Sequence, residues 1–258
     1  MSDNATDFSR ITAAILAGGL GTRLRPVLAD RPKVLAEING RPFLAYLLDQ
    51  LANAGCQSVI LCTGYLGEQI YSAFGENYAS RLRLGYSHEE QPLGTAGALR
   101  LALPQLASNP VLVMNGDSCC AADLKMFWRE YCSSRANAAM LLTRVTHAQR
   151  YGSVKLSDDG SVIEFIEKNQ KDGPCWINAG IYLLSREALV SIPEHTNISL
   201  EYDIFPQLVG RRLYGYPSQG RFLDIGTPQD FALAKTFFAE MAKNEKALIH
   251  GTGTGQNN

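Results

Sequence analysis

The stretch ITAAILAGGLGTRLRP, residues 11–26, decides the fold of this chain. Its first part, Ile11–Ala17, is an uncharged run of apolar and small residues, which predicts a buried strand. Three glycines follow within positions 18–21 and mark a loop at the carboxyl end of that strand. Glycines permit positive φ and close backbone approach, so the peptide N–H groups of such a loop can converge on phosphate oxygens. Arg23 and Arg25 add cations that can lie along a polyphosphate.

Two common phosphate-binding loops do not match this stretch. A dinucleotide-binding fingerprint needs a glycine three residues after Gly21, where Leu24 stands. A P-loop closes on Gly-Lys-Ser or Gly-Lys-Thr, and residues 21–23 read Gly-Thr-Arg. On the loop alone, a glycine-rich turn with solvated arginines stays an open alternative.

Apolar runs alternate with helical spacing through the first half of the chain. Strands are predicted at Ser58–Thr63, Arg81–Ser87 and Pro110–Met114, and helices at Pro42–Ala54, Glu68–Phe74 and Ala96–Leu106. Alternation of this kind predicts an α/β fold with right-handed crossovers and a parallel sheet covered on both faces. The second half predicts a mixed β region, with strands at Ala138–Arg144, Gly152–Leu156, Val162–Ile166, Ile177–Leu184, Gly210–Tyr216 and Phe222–Ile225, followed by a helix capped by Thr227.

Composition limits the classes of protein to consider. Of 258 residues, 46% are hydrophobic and 19% charged, which is typical of a globular enzyme. The net charge of -1 gives no overall field for a nucleic acid or an acidic membrane surface, so local cations must hold any anionic substrate. The six cysteines form no CxxC pair and no secretory segment precedes them, which predicts reduced thiols in a cytoplasmic protein. No run approaches the ~20 apolar residues that a membrane span needs.

Several motifs, in order over roughly Ala13 to Ala234, resemble those of the sugar-1-phosphate nucleotidyltransferase family. GGLGTRLRP followed by Arg31-Pro32-Lys33 is similar to the family signature GGxGTRxxP with a downstream Pro-Lys. QPLGTAGAL, residues 91–99, looks like its base-recognition loop, and Asn115-Gly116-Asp117 like the segment of its metal aspartate. The sugar-side segments and the second metal aspartate are matched by Tyr151-Gly152, FIEK at 165–168, Asn178-Ala179-Gly180 and FLDIGTP at 222–228.

The resemblance implies a fold and a division of the chain. The expected fold is a single Rossmann-like domain of the nucleotide-diphospho-sugar transferase type. It has a mixed, mainly parallel central sheet flanked by helices, plus a small β region on the sugar side. Residues 1–10 are expected to be a flexible leader and residues 11–240 the domain. Within it, 11–125 form the nucleotide-binding half and 126–240 the sugar-binding half, and 241–258 form a tail with a disordered end.

The resemblance also implies an activity, which is transfer of a nucleotidyl group from a nucleoside triphosphate to a sugar 1-phosphate. The short chain and the LGTAGA and FLDIGTP motifs look most like bacterial D-glycero-α-D-manno-heptose 1-phosphate guanylyltransferases. That favours GTP, heptose 1-phosphate and Mg²⁺, with GDP-heptose for surface polysaccharide such as capsule as the product. No nucleic acid or membrane partner is expected, and a homo-oligomer is left open.

Other functions remain open at this point. Mannose 1-phosphate guanylyltransferases and glucose 1-phosphate thymidylyl- or uridylyltransferases are close relatives of the favoured family. A non-catalytic sugar-nucleotide sensor would be expected to lose Arg23, Lys33 or one aspartate, and all of these residues are present. A nicotinamide-dependent oxidoreductase is disfavoured by the missing glycine of the fingerprint.

The same resemblance assigns the site residues. It implies catalytic roles for Arg23, Lys33 and Asp117, with Asp117 and Asp224 as metal ligands. The nucleotide-binding residues are expected to be Leu16, Ala17, Gly18, Gly19, Leu20, Gly21, Thr22, Arg23, Gln91, Gly94, Thr95, Asn115 and Gly116. The sugar-phosphate-binding residues are expected to be Lys33, Tyr151, Gly152, Glu167, Lys168, Asn178, Ala179 and Asp224.

Chemistry and charge suggest how some of these residues act. No catalytic base is needed, because the attacking phosphate is already ionised. Magnesium prefers oxygen ligands and usually takes one or two carboxylates, which fits Asp117 and Asp224. Glu201 and Asp203 are left open, either as site residues or as a carboxylate pair at a helix start.

Overall fold

The computed structural model describes residues 7–19, 21, 31–134, 136–146, 151–166 and 173–251, with side chains up to residue 243. The strands in chain order are β1 (Thr12–Leu16), β2 (Glu37–Ile38), β3 (Arg41–Pro42), β4 (Ser58–Thr63), β5 (Asn77–Tyr78), β6 (Leu82–His88), β7 (Val111–Asn115), β8 (Ser118–Cys120), β9 (Ala138–Val145), β10 (Ser153–Leu156), β11 (Val162–Ile166), β12 (Cys175–Leu184), β13 (Leu213–Ser218) and β14 (Phe222–Asp224). The helices are α1 (Phe43–Ala54), α2 (Gly67–Phe74), α3 (Gly94–Ala102), α4 (Leu124–Ser133), α5 (Arg186–Val190), α6 (Phe205–Leu208) and α7 (Pro228–Gly251).

Strand β1 lies at the centre of the main sheet, with β4 on one side and β7 on the other. These strands and β6 run parallel, in the order β6-β4-β1-β7. On the far side of β7, β12 pairs antiparallel and carries β10 and β11, while β9 and β13 extend the sheet from β12. The sheet is therefore mixed with a parallel centre, which confirms the predicted fold class. The second-half strands mostly continue this sheet, and β8 pairs separately with β14.

Helices cover both faces of the sheet, because side chains of a strand point alternately to its two faces. In β1, Ala13 and Ile15 belong to one core cluster and Ala14 to the other. The apolar side of α1, including Leu47 and Leu51, packs in the first cluster with residues of α4 and α7. Residues of α3, α5 and α6 fill the second cluster. None of the helices in the described ranges is long and apolar enough to cross a membrane.

The predicted ends of the domain need correction. The leader was expected to extend to Arg10, but Phe8–Arg10 forms a 3₁₀ helix capped by Asp7, and the Phe8 ring is buried in the core. At the other end, the boundary at residue 240 falls inside α7, whose apolar face keeps Met241 packed against the core. Residues 1–6 and 252–258 lie outside the described part of the chain. The division into nucleotide-binding and sugar-binding halves stays a prediction.

For two predicted elements the structure shows a local reason why the bounds differ. The helix expected over Ala96–Leu106 ends as an α-helix at Ala102 and continues as a 3₁₀ turn containing Pro104, which cannot donate the backbone hydrogen bond of an α-helix. The strand expected from Gly210 begins only at Leu213, because Gly210 and Arg212 have positive φ and turn the chain. Helix α4 was not predicted at all.

Candidate active site

A cavity of about 540 Å³ opens beyond the carboxyl ends of β1 and β7. This is where parallel α/β sheets place their ligands, because the loops after neighbouring strands leave a crevice there. The cavity is lined by residues from both halves of the chain: Leu16, Ala17, Gly18, Gly19, Gly21, Lys33, Val34, Glu89, Pro92, Gly94, Thr95, Ala98, Asn115, Gly116, Asp117, Ser118, Tyr151, Gly152, Asn178, Gly180, Glu201, Tyr202, Phe222, Asp224 and Gly226.

The glycines at the ends of β1 and β7 are required by close backbone packing. A Cβ on Gly116 would lie 2.4 Å from the carbonyl oxygen of Leu16, which accepts a hydrogen bond from the Gly116 N–H. A Cβ on Gly18 would lie 2.8 Å from Glu89 Oε1, and Gly21 has a positive φ of 57°. The backbone therefore borders the cavity directly, as an anion-binding loop requires.

Lys33 and Asp117 form an ion pair on one wall of the cavity. Lys33 Nζ donates to Asp117 Oδ2 at 2.8 Å, with 11% of the lysine side chain and 46% of the aspartate side chain exposed. Lys33 is held by a 3₁₀ helix that follows Pro32, and Asp117 by the turn between β7 and β8. The pair places a nearly buried cation beside a partly solvated carboxylate at the end of the central sheet.

Asp224 lies next to Asp117, although the two residues are far apart in the sequence. The antiparallel pairing of β14 with β8 joins Asp224 to Ser118, and the Ile225 N–H donates to the Asp117 carbonyl at 2.9 Å. Burial, and then the negative charge of Asp117, raises the pKa of Asp224 above its usual value, while Lys33 opposes the rise. Two adjacent carboxylates, one of them poorly solvated, are a donor set that suits a hard divalent cation.

A hydrogen-bond network crosses the cavity floor from α3 to β12, with Glu201 at its centre. Glu201 Oε2 accepts from the hydroxyls of Thr95 at 2.8 Å and Ser199 at 2.9 Å, and Oε1 accepts from the Tyr182 hydroxyl at 3.1 Å. Tyr182 is fully buried, and burial followed by the charge of Glu201 raises its pKa well above the usual value. The Tyr182 hydroxyl therefore stays protonated and accepts from Asn178 Nδ2 at 2.8 Å.

The structure brings most of the predicted site residues to this one cavity. Gly94 has a positive φ of 71°, and a Cβ there would lie 2.5 Å from the Ile198 carbonyl oxygen, so packing inside the protein already demands glycine. Tyr151 borders the cavity with its ring edge-on to Phe222. Leu20, Thr22, Arg23, Glu167 and Lys168 lie outside the described residues.

Two predicted residues do not line this cavity. Ala179 is buried in the core, because strand alternation turns it away from the face that Asn178 and Gly180 present to the cavity. Gln91 is exposed and lines a neighbouring cavity of about 520 Å³, beyond Glu89 and Pro92. Their ligand contacts stay predictions.

The structure adds two carboxylates that the sequence reasoning missed or left open. Glu89 lines both cavities, and burial raises its pKa while the Leu93 N–H, which donates to it, opposes the rise. Its only sequence signal was its position two residues before Gln91. Of the pair left open, Glu201 lies in the cavity, whereas Asp203 is an exposed cap that accepts from the Ser199 N–H at 2.7 Å.

Comparison with known proteins finds relatives over most of the chain. The chain is 36% identical to a mannose-1-phosphate guanylyltransferase of Mycobacterium tuberculosis over 86% of this chain and 63% of the relative, so it spans less than two thirds of that relative. It is 35% identical to a D-glycero-alpha-D-manno-heptose 1-phosphate guanylyltransferase of Aneurinibacillus thermoaerophilus, over 86% of this chain and 96% of the relative. The crystal structure of HddC from Yersinia pseudotuberculosis complexed with GMP-PN is 32% identical, with a TM-score of 0.78 over 88% of this chain and 99% of that one.

Residues 12–241 match the family model described as Nucleotidyl transferase, which covers every described residue of the cavity. Enzymes of this family generally use a divalent metal, in agreement with the donors at Asp117 and Asp224. The chain belongs to the nucleotidyl transferase family.

Proposed function

We propose that this protein transfers GMP from GTP to a sugar 1-phosphate, releasing pyrophosphate and a GDP-sugar. One observation carries the proposal. The Lys33–Asp117 pair and Asp224 share a cavity wall with the glycine loop at the end of β1. A cation, a carboxylate pair and bare backbone at one point are what a reaction between two phosphates needs, because the mutual repulsion of the phosphates must be offset.

The preferred sugar in this proposal is D-glycero-α-D-manno-heptose 1-phosphate, which would give GDP-heptose for a surface polysaccharide. The relative named for that activity is matched over 96% of its length, and HddC over 99% of its chain. Mannose 1-phosphate is the second candidate, since a mannose-1-phosphate guanylyltransferase is 36% identical. The cytoplasmic location stays a prediction from the sequence.

In this mechanism, an ionised oxygen of the sugar phosphate attacks the α-phosphorus of GTP in line with the departing pyrophosphate. Lys33 holds the α-phosphate or the sugar phosphate, and the glycine-loop amides hold the triphosphate. Arg23 steadies the leaving pyrophosphate and Lys168 reaches the sugar phosphate. Asp117 and Asp224 would hold Mg²⁺, which supplies charge neutralisation when bound.

The base and the sugar are assigned to opposite sides of the cavity. Gly94 and Thr95, at the start of α3, read the guanine together with Gln91. Asn178, Tyr151-Gly152 and Glu167 contact the sugar. Thr95 and Asn178 use most of their side-chain hydrogen-bonding groups within the protein, so backbone groups of Thr95 are the better candidates for base contact.

A substrate panel tests the proposal. The purified protein is incubated with Mg²⁺ and each of four nucleoside triphosphates against heptose, mannose and glucose 1-phosphates, and pyrophosphate is measured. Release should be greatest with GTP and heptose 1-phosphate. A preference for dTTP with glucose 1-phosphate would contradict the guanylyl assignment, and nucleotide binding without pyrophosphate release would favour the sensor.

A further inference from the structure

The side chains of Thr95 and Asn178 are oriented by the protein before any ligand arrives. The Thr95 hydroxyl donates to Glu201 and accepts from the Leu200 N–H at 2.7 Å. The Asn178 amide donates to Tyr182, and its oxygen accepts from the Gly180 N–H at 2.9 Å. The position of the Thr95 backbone and the groups that Asn178 presents to the cavity therefore depend on these partners.

The direction of every hydrogen bond in this network follows from the charge of Glu201. An ionised carboxylate only accepts, so the hydroxyls of Tyr182 and Thr95 must both donate to it. Once Tyr182 donates its single proton, its oxygen can only accept, which turns the NH₂ group of Asn178 towards it. The Asn178 oxygen then faces the Gly180 N–H. One carboxylate thus fixes a threonine on the α3 side and an asparagine on the β12 side.

Local backbone geometry puts Glu201 where it can reach both sides. Residues Leu200–Ile204 form a π-helical turn, a rare conformation that is frequent at functional sites. Ser199 caps this turn: its side-chain oxygen accepts from the N–H groups of Glu201 and Tyr202, and its hydroxyl donates to the Glu201 carboxylate. The carboxylate is held from its own turn as well as from α3 and β12.

We propose that Glu201 is a positioning residue that couples the nucleotide side of the cavity to the sugar side. It orients Thr95 directly and Asn178 through Tyr182. The identity of the two substrates rests on the proposed function, whereas the network itself does not.

The variant that removes both acceptors while keeping most of the length of the side chain is Glu201→Met. Methionine has no oxygen, so the Tyr182 hydroxyl and the Thr95 hydroxyl both lose their acceptor. A buried polar group without a partner reorients, and the expected loss of affinity is about tenfold for each substrate. Tyr182→Phe should weaken only the sugar phosphate, and Thr95→Val only GTP.

The matched control is Asp203→Asn, in the same turn. Asp203 accepts only from the Ser199 N–H among the contacts described for its carboxylate, and it does not line the cavity. It tests whether loosening the turn alone changes binding. We expect a smaller fall in melting temperature in Asp203→Asn than in Glu201→Met, because Asp203 is exposed and accepts one hydrogen bond, and we expect unchanged affinities in Asp203→Asn.

The measurement is calorimetric titration of each variant with Mg²⁺–GTP, which cannot turn over without a sugar phosphate. The protein saturated with a GTP analogue carrying a non-cleavable α–β bond is then titrated with heptose 1-phosphate and with mannose 1-phosphate. In the double variant Glu201→Met/Tyr182→Phe, the loss on the sugar side should equal that of Glu201→Met alone, because both changes break the same connection.

Loss of both affinities in Glu201→Met, with one affinity lost in each single-sided variant, supports the proposal. Affinities within twofold of wild type in Glu201→Met, whatever its melting temperature, overturn it, as does a loss confined to one substrate. If Glu201→Met fails to fold, the two single-sided variants decide, and the absence of their one-sided losses overturns the proposal. A wild-type protein that binds neither GTP nor either sugar phosphate would overturn the proposed function, and this inference with it.

Discussion

Replacing Asp117 by asparagine tests the centre of the proposed mechanism. The variant keeps the shape of the side chain but removes the negative charge that faces both Lys33 and the expected Mg²⁺. Loss of one of two carboxylate ligands should lower turnover about a thousandfold, which corresponds to about 4 kcal/mol of transition-state stabilisation.

The effect on stability should be small, because two electrostatic changes oppose each other. Losing the 2.8 Å contact to Lys33 costs stability, but Asp117 is 46% exposed and its pairing is screened by water, so the cost is about 1 kcal/mol. Removing its charge also relieves Asp224, whose pKa that charge raises. A net change of at most about 1 kcal/mol shifts the melting temperature by about 2–4 °C in a chain of this size.

The assay is pyrophosphate release with Mg²⁺, GTP and heptose or mannose 1-phosphate, beside a thermal melt in EDTA. Asp158→Asn, in an exposed turn, is the control and should behave like wild type. Turnover near the wild-type rate in Asp117→Asn would refute the metal assignment. A fall in melting temperature far beyond about 2–4 °C would show that relief of Asp224 does not offset the loss of the Lys33 contact.

The remaining predictions concern neighbouring residues. Asp224→Asn should abolish turnover yet raise the melting temperature in EDTA at neutral pH. Burial and the charge of Asp117 raise the pKa of Asp224 in the folded protein, so the stability that its protonated form gives is fully present below the unfolded pKa and is lost as the pH rises through the folded pKa. The variant has no such loss, so the difference in melting temperature between variant and wild type should grow with pH in melts from pH 4 to 8. A difference that stays constant would contradict this. Gly94→Ala should cost about 1–3 kcal/mol in denaturant unfolding, because its Cβ would lie 2.5 Å from the Ile198 carbonyl oxygen; an unchanged midpoint would show that the backbone relaxes freely. Lys33→Ala should lower kcat/KM about a hundredfold, since a phosphate loses its cation; a change in kcat/KM below threefold would place the phosphates elsewhere.

The central sheet and the position of the cavity could be predicted because local sequence signals determine them. The apolar run before the glycines predicts β1, and the end of Pro110–Met114 places Asp117 at the same sheet edge. Asp224 could be assigned only through the family motif, since its approach to Asp117 depends on the pairing of β14 with β8, which no local pattern encodes.

The parts that could not be predicted depend on tertiary contacts. Helix α4 is an exception, because its own sequence carries the signals of a helix: Asp123 caps it, and Leu124, Phe127, Trp128 and Tyr131 have the spacing of one buried helix face. Ala179 was placed in the site because its motif neighbours are there, but strand alternation turns it inward. The role of Glu201 needs three segments brought together, so a carboxylate before a helix could equally have been a cap, as Asp203 is.

The β8–β14 ladder has a consequence for how this enzyme family can diversify. Because backbone hydrogen bonds hold Asp117 and Asp224 together, their approach depends on this ladder and not on the individual side chains of the segment between Cys120 and Phe222. That segment carries Tyr151 and Asn178, which are assigned to the sugar. New acceptor sugars could therefore be explored by mutation in one stretch of chain while the chemical step is inherited intact.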